Sequence, residues 1–242
     1  MFRPISLALV LVGMISLTGC QKAQDAAFGQ RVRTYLLSHP EVLEEALQKL
    51  QEKKTAQAAN VAKVGLRSNR QALEADPRDF VANPSGKHTV VEFFDYRCGY
   101  CKSSAPEVLK LIAENPDVRF VFKELPIFGG PSNLAAGVAL TVAGKEKGLE
   151  LYQRFMADKA LDETRIEGHL ASIGIDPRSA AVEAQSVGVQ KQLQDTATLA
   201  AQLGIEGTPA FIVGDTLIPG ADLTAFRALI ADAKAGRLKR PS

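Results

Sequence analysis

Apolar residues keep three different rhythms along this chain, and each predicts a different kind of element. Residues 5–17 are an almost unbroken apolar run behind a basic Arg3. Residues 28–76 are helical in spacing and carry no strand-like run. Phe28, Val32, Tyr35 and Leu36 mark a short first segment; Leu43, Leu47, Leu50, Lys54, Gln57, Val61 and Val64 then recur at alternating steps of four and three. This heptad-like stripe with a polar centre predicts one long helix. Ser38-His39-Pro40-Glu41 has the spacing of a capping box at its start, with the proline tolerated in the first turn. So thin a stripe cannot make a core alone: it pairs with copies of itself, covers the rest of the chain as a flap, or stands as a solvated spacer. Asp76-Pro77 and Asn83-Pro84-Ser85-Gly86 punctuate the junction that follows.

Beyond the junction the period shortens. Residues 89–94 are β-branched and aromatic, the signature of a central strand buried on both faces, and 118–123 repeat it. Between them, 99–114 reads as a helix with Leu109, Ile112 and Ala113 on its apolar face and a kink at Pro106. A predominantly helical stretch occupies about 131–203, with runs at 132–142, 149–157 and 163–173 and a longer one from about 178 to 203; Gly144, Gly148, Gly174 and Gly204 stand as stops. Residues 210–213 and 216–218, joined by Gly214-Asp215, form a hairpin, and 223–233 supply the last helix. Strand, helix, strand predicts an α/β sheet covered by helices. The expected organisation is a leader at 1–19, an N-terminal helical segment at 20–84 and the main domain at 85–242.

Composition changes this picture little. The 242 residues carry 29 basic and 27 acidic side chains, a formal charge of +2, which gives no reason to expect nucleic acid as a partner. The leader matters more. Residues 5–17 are too few to span a bilayer, which takes roughly 20 apolar residues, so a cleaved signal peptide is expected rather than a membrane anchor. The run ends in Leu17-Thr18-Gly19-Cys20, which resembles the lipobox of bacterial lipoproteins. That resemblance implies that Cys20 becomes the first residue of the mature chain and carries lipid, with acyl chains such as palmitate, holding the protein to a bilayer face. Gln21, in place of an aspartate, resembles the second residue of lipoproteins sent to the outer membrane. The alternative is an ordinary signal peptide with an incidental cysteine.

Setting Cys20 aside leaves two cysteines, in Cys98-Gly99-Tyr100-Cys101. Thiols this close cannot staple a large fold; they make a small local disulfide that opens and closes. Only a thiolate attacks a disulfide, and a free cysteine is mostly protonated at neutral pH. At the start of the 99–114 helix Cys98 faces unpaired amides and the positive end of the dipole, which favour its anion. Cys98 is therefore the expected attacking residue, and Cys101, one turn in and more buried, the resolving one. Gly99 and Tyr100 help set how strongly the reduced state is favoured. Glu92 is unusual in a central strand, because a buried carboxylate is costly unless neutral, paired or hydrated. Its bland alternative is a solvated face on an edge strand.

Residues 93–102, Phe-Phe-Asp-Tyr-Arg-Cys-Gly-Tyr-Cys-Lys, together with Gly207-Thr208-Pro209-Ala210-Phe211, resemble the DsbA-like branch of the thioredoxin superfamily over about 85–235. The resemblance implies a thioredoxin-like fold with the helical stretch as an insertion. It implies a cis bond before Pro209, facing the active-site helix, with the Thr208 backbone open to pair with extended substrate. It also implies that Glu92 serves proton transfer to or from the buried thiol. The activity implied is thiol:disulfide exchange on unfolded or misoxidised exported proteins, with a membrane redox partner and neither cofactor nor metal. Cys-Gly-Tyr-Cys matches the isomerase DsbC rather than the Cys-Pro-His-Cys of the oxidase DsbA, and Thr208 stands where that oxidase has valine. Isomerase or reductase is therefore favoured over oxidase. Residues 28–76, with Ser38-His39-Pro40-Glu41 leading into a long helix, look like the multimerising region of periplasmic ScsC-type proteins, associated there with disulfide isomerisation and copper tolerance. That likeness implies a homo-oligomer. A copper-binding thiol protein and a tethered chaperone are the remaining alternatives, and the expected location is the periplasmic side of the outer membrane.

Other residues carry blander expectations. Asp95 and Arg97 should tune charge at the helix entrance, Lys102 should be solvated, and Tyr96 and Tyr100 should pack or offer apolar contact. His39, His88 and His169 fit no metal or triad spacing, and a lone C-x-x-C offers two of the four ligands a closed zinc site uses. Gly129-Gly130-Pro131 reads as a loop bordering the active site rather than a phosphate cradle.

Overall fold

The computed structural model describes residues 15–238, with side chains from residue 27 on except those of 55, 56, 58, 59, 61 and 62. The expected leader at 1–19 and the lipid-bearing Cys20 fall on residues or side chains outside that description. The chain divides into two compact units between residues 57 and 58.

The first unit holds α1 (Ile15–Ser38) and most of α2 (Glu41–Ser68). Ser38 does not cap α2 as its spacing suggests. Its hydroxyl donates back to the carbonyls of Thr34 and Tyr35, at 2.9 and 3.0 Å, and so closes α1. His39 stacks on Tyr35 at 4.3 Å between ring centroids. Leu43, Leu47 and Leu50 lie exposed along α2, as do Phe28, Tyr35 and Leu37 along α1.

In the second unit a five-stranded sheet runs β1-β3-β2-β4-β5, with β1 Phe80–Ala82, β2 His88–Phe94, β3 Val118–Glu124, β4 Ala210–Val213 and β5 Thr216–Pro219. Strands β2 and β3 are parallel, because α4 (Gly99–Glu114) carries the chain back between them; the other pairs are antiparallel. Strand β1 has no counterpart in the sequence pattern, three residues being too few to display a period. Alternation along the central strands sorts the core. Val90, Phe94, Phe120 and Phe122 share one cluster with residues of α4, α7 (Gly148–Ala157) and α11 (Leu223–Lys234). Val91, Phe93 and Val121 share the other with the end of α2, α3 (Arg70–Glu74) and α10 (Val187–Gln202). A buried ion pair sits with that second face. Lys123 Nζ meets Asp79 and, at 2.5 Å, the Ala72 carbonyl, and Gln192 donates to the other Asp79 oxygen at 3.2 Å. Charges are tolerated there because they are paired and hydrogen-bonded.

The helical insertion between β3 and β4 comprises α5 (Gly130–Ala139), α6 (Val142–Glu146), α7, α8 (Glu163–Ser172), α9 (Pro177–Ala184) and α10. The single run expected at 178–203 is two helices: Ser186 leaves the helical path and caps α10, its Oγ accepting from Val189 N at 3.4 Å. Gly174 and Gly204 end helices at φ of 81° and 69°. Gly144 and Gly148 are not stops. A Cβ on Gly144 would run into the Val138 carbonyl inside α6, and one on Gly148, which opens α7, into the Phe80 ring. The apolar face of α4 is also turned from the expected one: Val108, Leu111 and Ile112 are buried and Ala113 is exposed.

Candidate active site

Strand β2 ends at the middle of the sheet, and the four residues after it set a cysteine at a helix tip. Cys98 N donates to the Asp95 carbonyl at 3.1 Å, and Cys98 keeps an extended backbone (φ −68°, ψ 121°) as the residue that caps α4. Its Sγ takes the place of a capping oxygen and accepts from Cys101 N at 3.4 Å. Beside it lies the Thr208–Pro209 bond, which is cis, and the Thr208 carbonyl accepts from the Cys98 thiol at 3.2 Å. The two cysteines, Thr208 and Pro209 are thus brought together, with Gly99 and Tyr100 exposed between the sulfurs.

The two sulfurs are driven in opposite directions. The Cys98 thiol is pulled down from 9.0 to about 5, chiefly by a hydrogen bond from the Cys101 thiol. Burial opposes the shift; the Thr208 side chain and the backbone at Cys101 and Tyr100 add to it. Cys101 is pushed far up, by burial first and then by its role as donor to Cys98. Amides at the helix tip therefore contribute, as the sequence suggested, but the neighbouring thiol is the larger cause.

Glu92 stands at the centre of β2, opposite Phe122 on β3 and Phe211 on β4, and is 4% exposed. It is on neither an edge strand nor a solvated face. Burial pushes its carboxyl up to about 8; a hydrogen bond from Tyr152 opposes the rise and the Cys98 charge adds to it. The Tyr152 hydroxyl, on α7, is 3.1 Å from each carboxylate oxygen.

Three neighbours are more firmly held than the sequence suggests. Buried Asp95 accepts from Arg97 N at 2.7 Å, Ile127 N at 2.7 Å, Phe128 N at 3.1 Å and Ser132 Oγ at 2.8 Å. It acts as a hydrogen-bond hub, strapping the segment around Gly129-Gly130-Pro131 to the approach to Cys98. Lys102 is not solvated: its Nζ donates to the carbonyls of Phe155 and Asp158 at 2.9 and 2.5 Å, fastening α4 to the end of α7. Tyr96 is buried and donates to Glu124 at 2.9 Å, so of the two tyrosines only Tyr100, 71% exposed, faces outward. Of the histidines, His169 meets Asp158 at 2.8 Å. Tyr152 and Ser132 carry no motif, and no signal in the sequence singles them out.

The DSBA-like thioredoxin domain family model matches residues 89–229, and the model of the copper resistance protein ScsC N-terminal domain matches 24–57. Similar solved structures include Salmonella enterica Typhimurium BcfH, 33% identical, covering 90% of this chain and 99% of that one, with a TM-score of 0.69. A linker-deletion variant of Proteus mirabilis ScsC is 31% identical over 88% of this chain and 96% of its own, with a TM-score of 0.66. The thiol-disulfide exchange protein alpha-DsbA2 of Wolbachia pipientis is 27% identical over 72% and 96%, also at 0.66. Among curated proteins, the Na(+)/H(+) antiporters NhaA 1 of Salinispora arenicola and NhaA 3 of Salinispora tropica are 30% and 29% identical over 189 residues. The match covers 70% of this chain but 27% of each antiporter, so the chain spans about a quarter of the curated relatives it matches. No helix among the described residues is long and apolar enough to cross a membrane.

Proposed function

We propose a client class and a direction of exchange for this chain on the premise that it belongs to the DsbA-like thioredoxin domain family and is a thiol–disulfide oxidoreductase. It reshuffles or reduces the disulfides of unfolded or misoxidised exported proteins, outside the cytoplasm. One observation carries the chemistry: an acid-shifted Cys98 sulfur at the tip of α4, with a protonated Cys101 one turn behind it and the Thr208 backbone beside it. The Cys98 thiolate attacks a client disulfide, one client sulfur leaves as thiolate, and a mixed disulfide remains. A second client thiol then displaces Cys98, which isomerises the client, or Cys101 displaces the client, which reduces it. In that second case the Cys101 proton passes to Glu92, and a membrane redox partner later restores the dithiol. Main-chain pairing at Thr208-Pro209, with Gly99 and Tyr100 at the rim, suits extended clients of varied sequence.

The acid-shifted sulfur also supports a second reading, disulfide donation, because a stable thiolate is a good leaving group. Isomerisation or reduction is preferred because Cys-Gly-Tyr-Cys places no imidazole between the sulfurs, and because the exposed apolar stripe of the first unit suits gathering several copies around one client. Residues 28–76 are the proposed oligomerising segment. Lipid on Cys20 holds the assembly to the periplasmic face of the outer membrane. Reshuffling of a scrambled protein, run beside oxidation of a reduced peptide with Cys98→Ala as control, tests the direction. Faster reshuffling is expected; faster peptide oxidation would move the assignment to disulfide donation. Mass spectrometry of the mature N-terminus should find acylated Cys20, and an unmodified cysteine there would remove the lipid anchor.

A further inference from the structure

The helical insertion contributes one polar group to the redox centre. Tyr152 is 1% exposed, and its ring packs edge-on to Phe94 at 5.3 Å, against Phe122 at 4.9 Å, and 6.4 Å from Tyr96. Packing alone asks for no hydroxyl, since phenylalanine would fill nearly the same space. The hydroxyl is committed instead to Glu92, 3.1 Å from both oxygens. We propose that Tyr152 is a positioning residue for the resolving step, holding the Glu92 carboxylate oriented and ionisable as the acceptor of the Cys101 proton. This rests on the reading of Glu92 as that acceptor.

The surroundings of Glu92 say why such a partner is needed. Cys98 faces it from the cap of α4 and Cys101 from its first turn, Tyr96 from the segment after β2, Glu124 from β3 and Tyr152 from α7, while β4 presents Phe211. No cation is among these described neighbours, so a hydrogen-bond donor is what offsets the cost of a buried anion there. Among the described residues only the Tyr152 hydroxyl supplies that donor. Glu124, in the same layer, shows the counterpart: Tyr96 bonds one of its oxygens, the other has no partner, and burial holds its carboxyl well above the usual range.

The step balances as follows. The Cys101 thiol gives its proton to the Glu92 carboxylate and its sulfur attacks Cys98. The Cys98–client S–S bond breaks, the Cys98–Cys101 bond forms, and the client sulfur leaves with the electron pair as a thiolate. The client disulfide has gained two electrons and the cysteine pair has lost them.

Single-turnover release of a thiol peptide from a mixed disulfide on Cys98, followed in the full chain across the pH range around 8, tests this. In the unmodified chain release should rise with pH about a midpoint somewhat below 8, because the mixed disulfide removes the Cys98 charge that adds to the Glu92 rise. Tyr152→Phe should move the midpoint up by about one unit and slow release at neutral pH about tenfold. Glu92→Gln should erase the transition, and Tyr152→Phe should add nothing on the Glu92→Gln background. The infrared carbonyl band of protonated Glu92 should persist to higher pH in Tyr152→Phe. Acid-shifted Cys98 alkylation in each variant shows that the site has assembled. Should the phenylalanine variant not fold, 3-fluorotyrosine at position 152, a stronger donor, should move the midpoint down. A Tyr152 substitution that leaves the midpoint in place while Glu92→Gln erases it overturns the Tyr152 assignment and leaves Glu92 standing. A Glu92→Gln profile like that of the unmodified chain overturns both.

Discussion

Cys98 and Cys101 are the same side chain three residues apart, and one helical turn of environment makes one an anion and the other a thiol. Because the Cys101 thiol is the largest cause of the Cys98 shift, Cys101→Ala should raise the midpoint of Cys98 alkylation from about 5, and a peptide mixed disulfide should then accumulate on Cys98. The sign of the stability effect follows. Cys98 is lowered from 9.0 in the unfolded chain to about 5, so the reduced protein holds its full thiolate stabilisation near pH 9 and loses it as pH falls through 5. The denaturant midpoint of the reduced form, relative to the oxidised form, should therefore rise between pH 5 and pH 9. A rise confined to pH below 5 would contradict the assignment. Asp95 makes a different claim. Asp95→Ala leaves two loop amides, the Arg97 amide and the Ser132 hydroxyl without their acceptor, and should cost about 4 kcal/mol or more by chemical denaturation, at roughly 1–3 kcal/mol for each buried group left unpaired. The cysteines and Glu92 are legible because each is an unusual residue at a diagnostic place in its own segment, whereas Thr208-Pro209, cis in the structure, is legible only through the family resemblance. Tyr152 is not legible, because it reaches Glu92 from 60 residues away and looks like any aromatic on an amphipathic helix.

Elements longer than a few residues announced themselves by period, and those that did not lacked either length or punctuation. Residues 210–213 are β4 as read, whereas β1 is held by pairing to Phe120, Val121 and Phe122 on β3 and leaves no local trace. The division of the 178–203 run rests on Ser186, a cap with no glycine or proline to mark it. Glycine misled in the opposite sense. Gly144 looks like a stop but is needed for close approach to Val138, so Gly144→Ala should destabilise the second unit by about 1–3 kcal/mol, as an overpacked core does. The buried Lys123 was invisible for the same reason as β1: its partner Asp79 lies 44 residues earlier. Lys123→Ala strands that carboxylate and should cost about 3–5 kcal/mol; an unchanged denaturation midpoint would mean that water or another cation replaces the ammonium.

At the scale of the whole molecule, the apolar stripe is the feature the chain does not satisfy within its first unit. Leu43, Leu47 and Leu50 on α2, with Phe28 and Leu37 on α1, stay exposed. Each such side chain, about half to two-thirds exposed, forgoes about 1–2 kcal/mol of burial, and Lys54 and Gln57 interrupt the stripe with polar groups of the kind that fix register between paired helices. Pairing with copies of the same segment uses both facts, whereas a solvated spacer uses neither. The full chain should accordingly show a multiple of the monomer mass by light scattering. Leu43→Lys, Leu47→Lys and Leu50→Lys together should reduce it to the monomer while acid-shifted Cys98 alkylation persists. If isomerisation depends on several Cys98 thiolates around one client, that triple variant should also lose scrambled-substrate reshuffling several-fold and retain peptide oxidation per active site. A monomeric mass in the unsubstituted chain would remove the ground for isomerisation by gathered sites and leave the Cys-Gly-Tyr-Cys sequence as the remaining ground, which favours reduction by single sites.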